Sequence, residues 1–318
     1  MPNQAHPVRG YLYIATATLF WGISATLGRA AFTLRLNPGG HTLGFIDPLI
    51  LAQTRTTFAF LVLLPVLVPL REWRKLRLPA ADCGRVLVLG VLGVAASNYF
   101  YYLAIQKSNV ATAIIIQYTA PVWVLLYMVL RGLQKPTLQR LAGVALALVG
   151  IAMVIGIFGT GGLRMNAPGV TAGLLAAFSF AFYNVAGHDI LAKHDRWTVL
   201  LYTTFAATLF WMVANPPGKI VAAHYSGAQW LFLFVFSLLS MLVPFSFYFA
   251  GLQHLEPTRA IVVSCLEPVF SIAIAAMVLG EVLRPLQAVG ILVVLAAILV
   301  VQTSKQDQGK AGVRGEPE

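Results

Sequence analysis

Apolar residues fall in ten long blocks, at about 11–32, 48–70, 85–105, 110–130, 138–158, 168–190, 197–214, 228–252, 258–279 and 285–303. A membrane-crossing helix needs ~20 predominantly apolar residues, and each block reaches or approaches that length. The blocks are continuous, so they do not read as the ~10-residue alternating strands of an outer-membrane barrel. Backbone groups in hydrocarbon must pair within their own segment, which predicts a helix for each block. The pattern predicts an all-α membrane protein with ten transmembrane helices. The polar stretches between blocks are short and leave no room for a separate soluble domain.

The pattern also repeats. Residues 98–155 align without gaps on 245–302 at an offset of 147. Tyr101 falls on Tyr248, Gln106 on Gln253, Pro121-Val122 on Pro268-Val269 and Gly143 on Gly290. The earlier blocks of each half match weakly. The glycine-rich stretch Gly156–Gly169 is the natural join. This divides the chain into a first five-helix repeat (1–158), a loop (159–167), a second five-helix repeat (168–303) and a polar cytoplasmic tail (304–318) expected to be disordered. Five crossings are an odd number, so the second repeat enters the membrane inverted relative to the first. Inverted repeats mark secondary transporters, whose substrate site lies near the midplane between the halves.

Composition agrees with this picture. Of 318 residues, 58% are apolar and 10% charged, with a mean hydropathy of +0.79, against ~45–50% and ~25% in soluble domains. These values exclude a secreted disulfide scaffold and an ordinary cytosolic enzyme. The net charge of +11 would suggest nucleic acid in a soluble protein, but here the cations lie between and after the apolar blocks, and the expected partner is the lipid bilayer. With the N-terminus inside, fifteen lysines and arginines fall on cytoplasmic segments, densest at 71–85, 131–140 and after Thr303. Six fall outside: Arg29, Arg35, Lys107, Arg164, Lys219 and Arg284. Positive charge favours the cytoplasm, so both termini are placed there. Met1–Gly10 carries one arginine before a block longer than a signal-peptide core, so an uncleaved first span is expected. Cys83 and Cys265 lie at different membrane depths, and no disulfide is expected between them.

Polar residues inside the blocks suggest where a solute would sit. Ala260, Ser264, Glu267, Pro268, Ser271 and Ala275 recur at steps of three and four, on one helical face. Ala113, Gln117, Ala120, Pro121 and Val124 repeat that face in the fourth block, and Ala17, Trp21, Ser24 and Gly28 mark one in the first. Pro121 and Pro268 cannot donate to the carbonyls of Gln117 and Ser264, which predicts paired helix kinks and two freed acceptors. Glu267 is the one acidic residue well inside a block, at a cost of ~2.5–3.5 kcal/mol or more for a charge at a helix centre. It reads either as a proton carrier or cation partner, or as a structural hydrogen-bonding group. Arg55 is expected to snorkel to the outer surface. Tyr99 and Tyr102 are expected to line a cavity beside Asn98. Tyr183, Asn184 and His188 form a further polar patch, with His188 read as solvated. No phosphate-binding loop, metal-ligand spacing or nucleophile elbow is present, so neither ATP drive nor a cofactor or metal is implied.

The chain resembles the EamA-type transporters of the drug/metabolite transporter superfamily. The resemblance rests on Trp21-Gly22, Arg55, Tyr101-x-x-Ala104, the duplicated Pro121-Val122 and Glu267-Pro268-Val269-Phe270 segments and Leu279-Gly280-Glu281, and covers about 11–303. It implies ten helices, inverted five-helix repeats and export of small metabolites. Within the family the chain is most similar to YddG-like bacterial exporters of aromatic and other neutral amino acids, as the long Asn37–Pro48 connection suggests. The first half has no acidic counterpart to Glu267, so the two halves are not expected to share one mechanism. The reading is a non-enzymatic inner-membrane exporter of amino acids or related small molecules, working by alternating access. Trp21, Tyr99, Tyr102, Gln117, Ser264 and Glu267 are its candidate substrate-binding residues, and no obligate protein partner is evident. A multidrug or nucleotide-sugar carrier is the alternative, and a channel or an intramembrane enzyme stands further off, since no selectivity filter or reactive cluster is evident.

Overall fold

A computed structural model describes residues 6–32, 46–70, 76–157, 163, 166–279 and 282–304. Arg35 and most of the Asn37–Pro48 connection, Arg71, Arg74 and Lys75, half of the glycine-rich join with Arg164, the Gly280-Glu281 pair and the tail after Ser304 lie outside the described residues. The described residues are helical, with no strand among them. We number ten helices: α1 (Pro7–Phe32), α2 (Pro48–Leu70), α3 (Ala80–Lys107), α4 (Val110–Leu130), α5 (Leu138–Ile155), α6 (Ala167–Leu191), α7 (Arg196–Ala214), α8 (Gly227–Leu252), α9 (Pro257–Leu279) and α10 (Pro285–Gln302). Nine of them, α2 to α10, contain a stretch long and apolar enough to cross a membrane. α1 is 26 residues long but dilutes its apolar residues with threonine, serine and glycine. Large apolar side chains such as Leu61, Leu126, Val213, Leu231 and Leu299 are exposed around the bundle, as a lipid-facing surface requires.

Local sequence sets the helix starts. The side chains of Asn109, Thr137, Asn166 and Asp195 each accept a backbone N–H of the following first turn, and Ser226 and Gln229 form a capping box at α8. These groups satisfy donors that a helix leaves orphaned. α5 ends at Gly156, whose φ of 74° is cheap only for glycine.

Two kinds of irregularity recur at the 147-residue offset. α4 stops at Gln117 and restarts at Ala120, and α9 stops at Ser264 and restarts at Leu266. Pro121 and Pro268 therefore sit in the first turn of a new helical segment, where no N–H is needed. The predicted kinks are breaks, one short step before each proline. α3 and α8 each contain a wide π turn, at Leu89–Ala95 and Leu238–Leu242. The second of these begins 147 residues after Val91.

Packing follows the same offset. α1 lies on α8 and α9, as α6 lies on α3 and α4, while α5 pairs with α10 and α2 with α7. Glycines set the closest of these approaches. Gly143 lies against Val301 and Gly290 against Val154, which is the same contact with the halves exchanged. A Cβ on Gly290 would lie 2.8 Å from the Met153 Cβ and the Val154 nitrogen, so no larger residue fits without moving α5.

One end of the bundle is packed shut. Here α1 begins, α10 ends, and the 131–137 and 253–256 loops meet. Arg140 is fully buried and its Nη2 lies 3.1 Å from the Glu256 carboxylate, while Arg259 Nε lies 3.9 Å from it. Gln134 donates to Glu256 at 3.1 Å and accepts from Thr258 at 2.6 Å. Arg259 also donates to the Ser304 carbonyl, tying α9 to the end of α10. Nearby, His254 packs against Tyr13. Burial, and then the charges of His6, Arg9 and Arg196, hold its imidazole below the ordinary pKa, so it is neutral at pH 7.

Candidate functional site

The other end is hollow. A cavity of about 770 Å³ runs from the middle of the bundle to the end where Ile105, Val110, Ile155, Val282 and Gln287 surround its mouth. Its walls come from both halves. Trp21 and Ser24 of α1, Tyr101 and Tyr102 of α3 and Gln117 and Tyr118 of α4 face Tyr183 of α6, Phe245 of α8 and Glu267 and Ser271 of α9.

Of the sequence-derived candidates, Trp21, Tyr102, Gln117 and Glu267 line this cavity, together with Pro268. Tyr99, Ser264 and Pro121 do not. Tyr99 packs edge-on against Phe210 and Trp211, with ring centroids 5.9 and 5.8 Å apart. The reason is helical phase: Asn98, Tyr101, Tyr102 and Ile105 follow i, i+3, i+4 and i+7 and share the cavity face, while Tyr99 lies about 100° away from Asn98. That spacing identifies Tyr101, which the sequence marks as a repeat position and part of the family motif but not as a candidate site residue. Ser264 is buried below the cavity floor, and its hydroxyl donates to the Ile261 carbonyl at 2.7 Å. Pro121 is buried in the packing of α4.

Arg55 departs furthest from expectation. It does not snorkel outward but lines the cavity. Its Nη1 donates to the Tyr102 hydroxyl at 3.0 Å and its Nη2 to the Ser240 carbonyl at 2.9 Å, with the Phe236 ring 6.0 Å from the guanidinium. Trp21 Nε1 donates to the same carbonyl at 3.1 Å. Pro244 explains why that carbonyl is available. It stands four residues after Ser240 and has no N–H to give. The signal is visible in the sequence and parallels the prolines of α4 and α9.

Glu267 is partly accessible, to the cavity, and its Oε2 accepts from the Tyr118 hydroxyl at 2.9 Å. This bond joins the two halves across the break points of α4 and α9. Gln117 Nε2 lies 3.4 Å from the Ser97 hydroxyl, its acceptor. Trp21 packs on Phe245 and Tyr248 with ring centroids 5.5 and 5.3 Å apart. Tyr248 in turn donates to Asn184 Oδ1 at 2.7 Å. His188 is half-buried, not solvated, with its Nδ1 2.9 Å from the Leu252 carbonyl. Among the described residues the site therefore offers one carboxylate, one guanidinium, a few neutral polar groups and a broad aromatic wall. Among the described residues no cluster of three or more histidine, cysteine or acidic side chains has metal-binding geometry.

Comparisons with known proteins agree with this architecture. The sequence matches the EamA-like transporter family over residues 8–156 and again over 167–303. It is 27% identical over 289 residues to the threonine/homoserine exporter RhtA of Escherichia coli, covering 90% of this chain and 88% of that one. It is 22% identical over 231 residues to YicL of Salmonella typhimurium, described as an uncharacterized inner membrane transporter, covering 72% and 76%. A solved crystal structure superposes with a TM-score of 0.74 at 19% identity, covering 93% of this chain and 96% of that one, a likeness of fold.

Proposed function

Because the chain belongs to the EamA-like transporter family, a family of multi-pass membrane transporters, we propose that it exports neutral and aromatic amino acids across the bacterial inner membrane by alternating access. The observation that carries this reading is a cavity of about 770 Å³ whose described lining runs from the middle of the bundle to one end, while at the other end Arg140, Glu256 and Arg259 are packed together. A carrier must have such a state, whereas a channel needs a continuous path. The volume lies within the ~300–1,000 Å³ of small-molecule sites. The amino-acid class is supported by the likeness to RhtA and by the chemistry of the wall.

On this reading all ten helices cross the membrane as two inverted five-helix repeats, 1–158 and 168–303. The matched breaks, matched π turns and exchanged contacts support that division. The sealed end faces the cytoplasm, as the positive loop charges favour. Trp21, Tyr102, Gln117 and Glu267 contact the cargo. Glu267 receives its ammonium and repels an additional carboxylate, which disfavours acidic amino acids. Trp21 and the neighbouring rings receive its side chain, where aromatic pairs add ~0.5–1.5 kcal/mol beyond burial.

A panel of radiolabelled amino acids in proteoliposomes tests the proposal. Neutral and aromatic members should move well above the rate in empty vesicles, and acidic members should not. Transport of a nucleotide sugar or a cationic drug, with no amino acid moved, would overturn it in favour of another carrier class.

A further inference from the structure

Resting on that reading, we propose that Arg55 anchors the cargo carboxylate, so that the cavity selects a zwitterion held between Arg55 and Glu267. An arginine within a membrane-spanning helix is costly, ~2.5–3.5 kcal/mol or more at the helix centre, and is retained where its charge is used. Arg55 has no acid partner among the described residues. Its two bonds go to neutral acceptors, the Tyr102 hydroxyl and the Ser240 carbonyl. A guanidinium carries five N–H donors, so three remain, including Nε–H, which is buried without a partner.

A tie between α2 and α8 does not by itself call for a permanent charge, because an amide would reach a carbonyl as well. What the guanidinium adds is a planar fork matched to a carboxylate. The fork is also held in place. The Ser240 carbonyl freed by Pro244 is shared with Trp21, and the Ser237 hydroxyl donates to the backbone carbonyl of Arg55 at 2.6 Å. Neither the backbone nor the head group has to be ordered when a ligand arrives.

Glu267 lines the same cavity from α9, and among the described residues no ion pair links it to Arg55. Among the described residues, each half of the molecule thus presents one charged side chain to the shared space. A free α-amino acid answers both. An amine leaves Arg55 without its counter-charge, and a carboxylic acid without an amino group leaves Glu267 without its own. Burying either charge unpaired is expensive, so both should be rejected although they carry the same side chain.

The test is competition against labelled phenylalanine in proteoliposomes, using unlabelled phenylalanine, its methyl ester and phenethylamine. In the wild type, phenylalanine should compete at least tenfold better than either analogue. In Arg55→Lys, which keeps the charge but loses the fork, that preference should fall several-fold, and in Arg55→Gln it should approach unity. A merely structural role would depress exchange of all three together and keep their ratio, which overturns the proposal while leaving amino-acid export intact. If the wild type moves no amino acid, the functional reading itself fails. Ligand-induced thermal shifts of the purified Arg55→Lys protein give the same ratio without requiring transport, and an unchanged ratio there also overturns the proposal.

Discussion

The two ends of this bundle are built from the same repeat and are closed to different degrees. At the sealed end Arg140 meets Glu256 at 3.1 Å, with Arg259 beside them. The positions 147 residues away, at the open end, are Gln287, Asn109 and Thr112, all uncharged. Gln287 stands at the mouth of the cavity and donates to the Val154 carbonyl at 3.1 Å, while Asn109 caps α4. Equivalent backbone thus carries an ionic lock at one end and neutral side chains at the other. On the proposed reading, an inverted repeat supplies two states related by a pseudo-two-fold axis, and charge placement biases which of them is populated.

Breaking the lock should have the largest effect. Glu256→Ala leaves the fully buried Arg140 without its carboxylate, and removing one partner of a buried pair costs about 3–5 kcal/mol. Thermal unfolding should fall, and the cavity should become reachable from the sealed side. An unchanged melting temperature together with unchanged sidedness would remove the lock from the mechanism.

Next is Glu267→Gln, which keeps shape and hydrogen-bonding capacity but not charge. Exchange of neutral amino acids should drop about tenfold, equivalent to ~1.4 kcal/mol, and its pH dependence should flatten. A wild-type rate and pH profile would make Glu267 a structural partner of Tyr118. Transplanting the lock, with Asn109→Glu and Gln287→Arg together, should favour closure of the open end by the ~0.2–1 kcal/mol of an exposed ion pair. A double-mutant cycle separates that coupling from the loss of the Asn109 cap, which costs ~1 kcal/mol by itself. Smallest of all, Tyr99→Phe should leave exchange and selectivity within error, because Tyr99 packs against α7 and not on the cavity wall.

The sequence pattern reveals the helices and the repeat directly, because hydrophobic length and an offset of 147 are one-dimensional quantities. Trp21, Tyr102, Gln117 and Glu267 are legible for a related reason: they are polar or aromatic groups inside apolar helices, on faces that the period of 3.6 can identify. Tyr99 misleads because four consecutive aromatics surround a helix and only phase selects among them. Arg55 misleads because snorkelling is judged from depth alone, whereas the acceptor that holds it inside is a carbonyl freed by Pro244 of α8, 185 residues away along the chain. The lock is hidden for the same reason. Arg140, Glu256 and Arg259 look like ordinary loop charges until the helix ends are brought together.

Sidedness of access to the cavity is the decisive quantity. Ala111→Cys places a thiol on the cavity wall, in a chain with Cys83 and Cys265 replaced by alanine. A membrane-impermeant thiol reagent is then applied to intact cells and, separately, to inside-out vesicles. Labelling should be fast from the outer face and at least tenfold slower from the cytoplasmic face, with the ratio shifting toward the cytoplasmic face once Glu256→Ala is added. Equally fast labelling from both faces in the unlocked and locked proteins alike would indicate a continuous pore and contradict alternating access.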